Sequence, residues 1–196
     1  MNPEDYDYDE ARRRATESWI KEQIEDRLTR FYARRPRMFA VPGELHPDVA
    51  AWVDRVGQGE PVGSLVLTGN VGSGKTWTLW KIQETLIGGG YRGTVEIRAA
   101  HELKRLIAPP VDTAALDVLA DADVMALDDV GSVRVSDWDA DHLMALIDIR
   151  WSHRRPTILT SNTTELRPLL GDRVASRLAH NATTVKITGP DRRRGR

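Results

Sequence analysis

The chain has 196 residues, 40% of them hydrophobic and 29% charged, with a formal net charge of −1; this is typical of a globular protein with one sizeable core, and it gives no general attraction to nucleic acid. It contains no cysteine, which excludes disulfides and thiolate metal sites and suits the reducing cytoplasm in which we expect the protein to work. No apolar run approaches the roughly 20 residues that cross a bilayer, and the acidic start MNPEDYDYDE is unlike a secretory signal, so we expect no membrane contact.

The N-terminal region combines an uneven charge with a helical pattern. Residues 1–10 carry five acids and no base, whereas residues 11–37 carry nine basic residues against four acids. From Ala11 to Tyr32 the apolar side chains recur at helical spacing, which predicts an amphipathic helix. Its apolar stripe consists of Ala15, Trp19, Ile20, Ile24, Leu28 and Phe31. This stripe either docks on a partner protein or packs on the chain's own core, and the sequence leaves both open.

A linker separates this helix from the rest of the chain. The segment ARRPRMFAVPGELHP contains three prolines and Gly43, which predict an extended connection. We therefore divide the chain into an N-terminal helical arm with its linker, residues 1–44, and a second domain, residues 45–196. The second domain is expected to open with a short helix over residues 47–56.

Five short apolar runs rich in β-formers alternate with helical segments through the second domain. The predicted strands are SLVLT (64–68), TVEIRAA (94–100), VMALDDV (124–130), PTILTSN (156–162) and TTVKI (183–187). The helix after the third strand is expected to begin at a Ser136 cap. Because such alternation needs crossover connections, it predicts an α/β fold with a five-stranded parallel sheet flanked by helices. Ligands of such sheets bind at the carboxyl ends of the strands.

The first predicted strand runs into a glycine-rich loop that fits the phosphate-binding pattern G-x-x-x-x-G-K-[ST]. The loop consists of Gly69, Asn70, Val71, Gly72, Ser73, Gly74, Lys75 and Thr76. Its glycines let backbone N–H groups and the next helix N-terminus surround a phosphate, without side chains that fill the space. Lys75 would reach the β- and γ-phosphates, and Thr76 would bind Mg²⁺. Trp77 closes the nucleotide-binding segment, although its side chain, like that of Trp80, suits packing better than base stacking.

The third predicted strand ends in two carboxylates. Asp128 would hold the Mg²⁺ directly or through water, and Asp129, on the other side of the strand, would polarise the attacking water. An acidic strand end also begins many turns, so this assignment depends on its pairing with the glycine-rich loop. The histidines show neither metal-ligand spacing nor a Ser-His-Asp arrangement; they are His46, His101, His142, His153 and His180.

Three later motifs, together with LDDVG, carry a family resemblance. TILTSN ends the fourth strand at Asn162, GDRVASRLAH places Arg173 and Arg177 four residues apart on a helix, and VKITGPDRRR ends in arginines. In this order the motifs resemble the AAA+ ATPases of the DnaC-type helicase-loader group and the IstB-like transposition ATPases. The resemblance covers about residues 45 to 193. It implies that the second domain is an AAA+ ATPase domain with ATP and Mg²⁺ as cofactors.

The resemblance also implies roles for single residues. Asn162 matches the sensor-1 position, which orients the lytic water. Arg177 matches the arginine finger, which acts on the nucleotide of a neighbouring subunit and so implies self-association; Arg173 is the weaker candidate. Arg193, or else Arg192, falls near the nucleotide-binding sensor-2 position. The alternatives are a turn residue for Asn162, a salt-bridge partner for Arg177 and a basic tail for the last arginines.

Three departures from the family pattern bear on activity. Asp129 stands where many members have Glu, and its shorter side chain is expected to slow hydrolysis. Residues 101–123 are short for a region that helps loaders to contact single-stranded DNA, so DNA is a candidate partner only. No separate lid domain is expected after residue 188.

The function implied by the resemblance is that of an ATPase that loads a replicative helicase in DNA replication. It would be slow as an isolated chain and stimulated by its oligomer or partner. The alternative is an IstB-like ATPase that serves a transposase, since the two share every catalytic motif. A third hypothesis is a nucleotide-dependent binding switch with little turnover. A small P-loop kinase would need a lid and an acceptor site, and the sequence indicates neither.

Overall fold

The computed structural model describes residues 8–132 and 137–189. Ser136, Arg192 and Arg193, for which the sequence predicts roles, lie outside the described residues.

The described residues form the predicted five-stranded parallel sheet. Its strands are β1 (Leu65–Thr68), β2 (Val95–Ala99), β3 (Val124–Val130), β4 (Thr157–Ser161) and β5 (Thr183–Lys186). The strand order is β2-β3-β4-β1-β5, and every pairing is parallel. The carboxyl ends of β3, β4 and β1 therefore lie side by side at one edge of the sheet.

Helices connect these strands as the alternation predicts. In the described residues they are α1 (Tyr8–Arg34), α2 (Pro47–Gly57), α3 (Lys75–Gly88), α4 (Ala100–Ile107), α5 (Thr113–Asp121), α6 (Asp137–Ser152), α7 (Arg167–Leu170) and α8 (Asp172–Ala179). The helix predicted in GDRVASRLAH is α8, and the short α7 before it is separate, because Gly171 between them has a φ of 80°, outside the right-handed helical region. Over the described parts of the chain, no helix is long and apolar enough to cross a membrane.

The core has one layer on each face of the sheet. Along β3, Met125 and Leu127 belong to the layer that also holds Leu146 and Ile147 of α6. Their neighbours on β3 belong to the opposite layer, together with buried residues of α2 and α3; they are Val124 and Ala126. Successive side chains of a strand point to opposite faces, so both faces of the central strands are covered and their sequences are continuously apolar.

The pairing of β3 with β4 is irregular at its carboxyl end. Leu127 lies opposite Leu159 and Val130 lies opposite Ser161. Two residues of β3, Asp128 and Asp129, therefore face one residue of β4, which is the geometry of a β-bulge.

The helix α1 packs on the core through its C-terminal half only. Phe31 is 1% exposed, and its ring centroid lies 6.1 Å from that of Trp80 on α3. Arg27 donates to the carbonyl oxygens of Tyr91 and Gly93 in the loop after α3. In the N-terminal half Trp19 remains 52% exposed, although Arg92 lies over its ring. The predicted stripe is thus partly buried in the chain's own core and partly left on the surface.

A polar contact fixes this packing of α1 on α3. The Arg35 guanidinium lies 3.3 Å from the Glu84 carboxylate, and Lys81 donates to the same carboxylate at 3.0 Å. Burial raises the pKa of Glu84, but hydrogen bonds from Lys81 and Tyr32 and the charges of Lys81 and Arg35 outweigh it and lower the pKa. The Glu84 carboxylate is therefore charged at neutral pH and holds Arg35 in place.

The predicted linker lies over α3. It forms a 3-10 turn at Arg37–Phe39, and the Phe39 ring stacks on Trp80 with the centroids 6.4 Å apart. The Trp77 indole N–H donates to the carbonyl oxygen of Val41 at 2.8 Å. The linker therefore covers the two tryptophans of α3.

A buried arginine lies at the end of the sheet where β3 and β4 begin. Arg150 of α6 is 1% exposed, and its guanidinium donates to carbonyl oxygens of Leu119, Ala122 and Pro156, each at 2.7 Å. It thereby satisfies carbonyl groups at the end of α5, which have no partner within the helix. Burial, with a further contribution from the charge of Arg155, lowers the pKa of Arg150 to about 10. The guanidinium therefore remains charged at neutral pH.

Candidate functional site

The glycine-rich loop joins β1 to α3 at the carboxyl edge of the sheet. Gly69, Gly72 and Gly74 have φ angles of 146°, 80° and 106°. Residues with a side chain rarely adopt these left-handed angles, so the loop can curl in this way only with glycine at these positions. Gly74 comes directly before α3, so the N-terminus of this helix and its partial positive charge face the loop.

At Gly69 the structure gives a reason for glycine that differs from the predicted one. A Cβ atom at this position would lie 2.3 Å from the carbonyl oxygen of Ile187 and 2.9 Å from Ser73 Oγ. Glycine is required here because the chain after β5 passes so close, in addition to any space that a phosphate needs.

Lys75 holds the loop together. Its ammonium group donates to the carbonyl oxygens of Gly69 and Asn70 at 2.7 and 2.9 Å, and to Asn162 Oδ1 at 2.8 Å. The side chain is 8% exposed. A phosphate oxygen would make a stronger hydrogen bond with this ammonium group than these neutral oxygens do, because a charged acceptor is stronger than a neutral one.

Asn162 reaches Lys75 because of the strand order. β1 pairs with β4, and Thr68 lies opposite Ser161. The residues that follow these two strands, Gly69 and Asn162, are therefore neighbours at the sheet edge, although they are far apart in the sequence. The amide of Asn162 and the ammonium of Lys75 thus face one site.

Thr76 and Asp128 form the second part of the site. Thr76 Oγ1 donates to Asp128 Oδ2 at 2.8 Å. Two neighbouring ligands of an octahedral Mg²⁺ lie about 2.9 Å apart, given metal–oxygen bonds of about 2.0–2.1 Å. The spacing and chemistry of this oxygen pair therefore fit a magnesium ion that takes its other ligands from water and phosphate.

Acidic and histidine side chains alone do not make a metal site here. Within residues 8–132 and 137–189, no three His, Asp or Glu side chains lie together so as to hold a metal. A metal ion held by Asp128 would therefore need further ligands, such as the hydroxyl of Thr76 and the oxygens of a nucleotide.

The bulge changes the expected placement of Asp129. Strand alternation predicts that Asp128 and Asp129 lie on opposite sides, but the irregular pairing interrupts that alternation. Asp129 has a φ of 57°, which is uncommon for a residue other than glycine, and it is exposed. Its carboxylate is therefore accessible to water at the carboxyl edge of the sheet.

The side chain of Trp77 packs against the linker. Its side chain is buried, and a Cβ atom at Gly43 of the linker would touch it at 2.9 Å. The indole thus packs beneath the linker, in agreement with the preferred interpretation of the sequence.

Arg177 lies far from the loop. It is on α8, where its Nε donates to Asp148 Oδ1 at 2.8 Å and its guanidinium lies 4.4 Å from the Trp151 ring centroid. It lines an open cavity with Ser64, Thr157 and Asn181, which stand at the starts of β1, β4 and β5. Arg177 therefore belongs to the amino edge of the sheet, opposite the glycine-rich loop.

These observations agree with a comparison against known protein families. A family model described as IstB-like ATP binding protein matches residues 55–196, well over half of the chain. The chain belongs to the IstB-like ATP-binding family.

Solved structures similar to this IstB-like chain include DnaI, the DnaC helicase loader and DnaA. The DnaI structure is 23% identical and covers 81% of this chain and 94% of its own, with a TM-score of 0.62. The DnaC helicase loader is 21% identical over 81% of this chain and 99% of its own, with a TM-score of 0.62. DnaA from Aquifex aeolicus bound to AMPPCP is 17% identical over 71% of this chain and 44% of its own, with a TM-score of 0.59. These likenesses establish the AAA+ type of fold. No curated protein sequence matches the chain significantly.

The sequence did not indicate every residue that shapes the site of this IstB-like protein. Thr160 contacts both Asp128 and Asp129, as described below. Ser73 Oγ is buried in the loop without a hydrogen bond to any described residue. The sequence does show a threonine, Thr160, two residues before Asn162. Its role could be inferred only if β4 were known to pair with β3.

Proposed function

We propose that this protein binds and hydrolyses ATP with Mg²⁺ and loads a replicative helicase in DNA replication. The observation that carries the ATPase part is the meeting of Lys75, Asn162 and the Thr76–Asp128 pair at one sheet edge. The helicase part is supported by the likeness of fold to DnaI and the DnaC helicase loader over 81% of this chain.

Each group of the site has a distinct task in this proposal. The loop N–H groups and Lys75 bind the phosphates, and Thr76 and Asp128 hold the metal. Bound Mg²⁺ would neutralise negative charge on the phosphates. Asp129 accepts a proton from the attacking water, and Asn162 orients that water.

Replacing Lys75 by alanine is expected to weaken nucleotide binding about 10- to 100-fold. A hydrogen bond to a charged group contributes about 1.5–3 kcal/mol, and 1.4 kcal/mol corresponds to a factor of ten. The measurement is a titration with a fluorescent ATP analogue in the presence of Mg²⁺. Lys21→Ala, on the exposed part of α1, removes the same charge far from the loop and should leave the affinity unchanged. Equal affinities for wild type and Lys75→Ala, or no binding by the wild type, would refute the nucleotide site.

The exposed half of α1 is the proposed docking element for the helicase. Exposed apolar side chains, with Trp foremost, dominate many protein interfaces. We expect Ile20→Glu to reduce capture of a purified replicative helicase hexamer at least tenfold, without altering nucleotide affinity. Ile149→Glu on α6 is the matched control, because Ile149 is 43% exposed and Ile20 is 36% exposed. Equal capture by both variants would contradict docking through α1.

A transposase is the second candidate partner, and the family match over residues 55–196 favours it. The same capture experiment with a purified transposase in place of the helicase separates the two. Adding single-stranded DNA to each reaction tests whether DNA stabilises either complex. Partner binding with negligible ATP hydrolysis under all these conditions would instead support a nucleotide-dependent binding switch.

A further inference from the structure

The two carboxylates of the candidate site share one partner on the neighbouring strand. β3 and β4 pair regularly as far as Leu127 and Leu159, and the bulge then sets Asp128 and Asp129 against the single residue Thr160. A bulge leaves one residue without its ladder hydrogen bond. Something other than the regular ladder must therefore hold this strand end in place.

The Thr160 hydroxyl fills that role. Its Oγ1 accepts a hydrogen bond from the Asp129 backbone N–H at 2.8 Å and donates to Asp128 Oδ1 at 2.6 Å. The residue is 0% exposed, so water does not compete for the hydroxyl. A hydroxyl group can donate one hydrogen bond and can also accept. Thr160 donates to the carboxylate of Asp128, which can only accept, and it accepts from the backbone amide of Asp129.

Both oxygens of Asp128 are consequently assigned. Oδ1 is held by Thr160 of β4, and Oδ2 is turned towards Thr76 at the start of α3. Without the bond to Thr160, the Asp128 carboxylate could rotate, and the oxygen pair that fits Mg²⁺ would no longer be fixed.

We propose that Thr160 is a positioning residue of the magnesium site. It orients Asp128 towards Thr76, and it holds the left-handed backbone at Asp129 by replacing the missing ladder bond. This inference rests on the proposed MgATP site. Groups that orient metal ligands typically change metal affinity 10- to 100-fold when they are removed.

The test compares three variants of the full chain. Thr160→Val keeps the shape of the buried side chain and removes the hydroxyl, whereas Thr160→Ser keeps the hydroxyl. Thr68→Val is the matched control, because Thr68 stands at the end of the adjacent strand β1, and its Oγ1 is buried without a hydrogen bond to any described residue.

The readout is the Mg²⁺ concentration that gives half of the magnesium-dependent gain in affinity for a fluorescent ADP. We expect Thr160→Val to raise it about 10- to 100-fold, and Thr160→Ser and Thr68→Val to stay within about twofold of wild type. Affinity for the nucleotide in EDTA should not change. Thr160→Ala replaces the valine variant if that variant does not fold.

A Thr160→Val protein with the magnesium dependence of the wild type would overturn this proposal alone. Equal losses in Thr160→Val and Thr68→Val would do so too, because they would point to strand packing. Failure of the wild type to bind nucleotide would instead refute the proposed function.

Discussion

Replacing Arg177 by alanine is expected to lower ATP turnover of the assembled protein by about 10³- to 10⁵-fold, the range measured for arginine fingers. Arg177 lies at the amino edge of the sheet, whereas Lys75 and Asp128 lie at the carboxyl edge. It therefore cannot reach the nucleotide of its own chain, and as the proposed arginine finger it would act on that of a neighbour. The nucleotide affinity of the isolated chain should remain that of the wild type.

Mixing two inactive variants tests this in-trans arrangement. A Lys75→Ala chain keeps Arg177, and an Arg177→Ala chain keeps its loop, so a mixed assembly contains interfaces with both parts intact. ATP turnover should recover on mixing to a substantial fraction of the wild-type rate. Arg173→Ala, one turn earlier on α8, is the control and should remain active. The absence of any recovery, or a loss in Arg173→Ala as large as that in Arg177→Ala, would contradict the assignment of the finger.

Arg177 makes contacts within its own subunit that it would have to break in order to act as an arginine finger. Its bond to Asp148 and its position over Trp151 hold it within its own subunit. To reach a neighbouring phosphate the guanidinium must leave Asp148. In the proposed assembly one ion pair would be exchanged for another. The salt-bridge alternative that the sequence left open matches the Arg177–Asp148 contact within the chain, and the mixing experiment decides whether Arg177 also acts as a finger.

Replacing Arg150 by methionine is expected to lower the free energy of unfolding by about 3 to 5 kcal/mol. Methionine fills much of the volume but removes the guanidinium that donates to the buried carbonyl groups of Leu119 and Ala122, while Pro156 keeps only the Met125 N–H. Each such orphaned group costs about 1–3 kcal/mol. The measurement is the urea unfolding curve of the nucleotide-free protein.

Two further variants make this prediction specific. Arg150→Lys keeps the charge but cannot reproduce the planar fork, so it should remain strongly destabilised. Arg154→Met removes an exposed arginine nearby and should change stability by less than about 0.5 kcal/mol. Similar unfolding midpoints for Arg150→Met and Arg154→Met would show that the buried guanidinium does not stabilise the fold.

The sheet and the glycine-rich loop could be predicted from the sequence because their signals are local. The strand of residues 64–68 is a short apolar run, and the loop after it is a fixed pattern of glycines and lysine. Both appear in the structure within a residue or two of the prediction. For these segments the β propensity of the residues, the spacing of the motif and the burial of the strand all favour the same structure.

The features that the sequence did not predict depend on contacts between residues that are far apart in the chain. Asp129 lies in a β-bulge, and its backbone N–H donates to the hydroxyl of Thr160 on another strand. Arg150 appears in the sequence as one more polar position on a helix, and its burial requires α5 and the start of β4 to converge on it. Similarly, nothing in the period of α1 indicates where along its length the core ends.

The helix α3 serves two surfaces at once. Its first residue, Lys75, grips the glycine-rich loop, and further along it Trp80 and Glu84 carry the docked part of α1. Its fourteen residues form a rod about 21 Å long. One rigid element therefore carries both the lysine of the glycine-rich loop and the side chains that set the direction in which the exposed end of α1 projects.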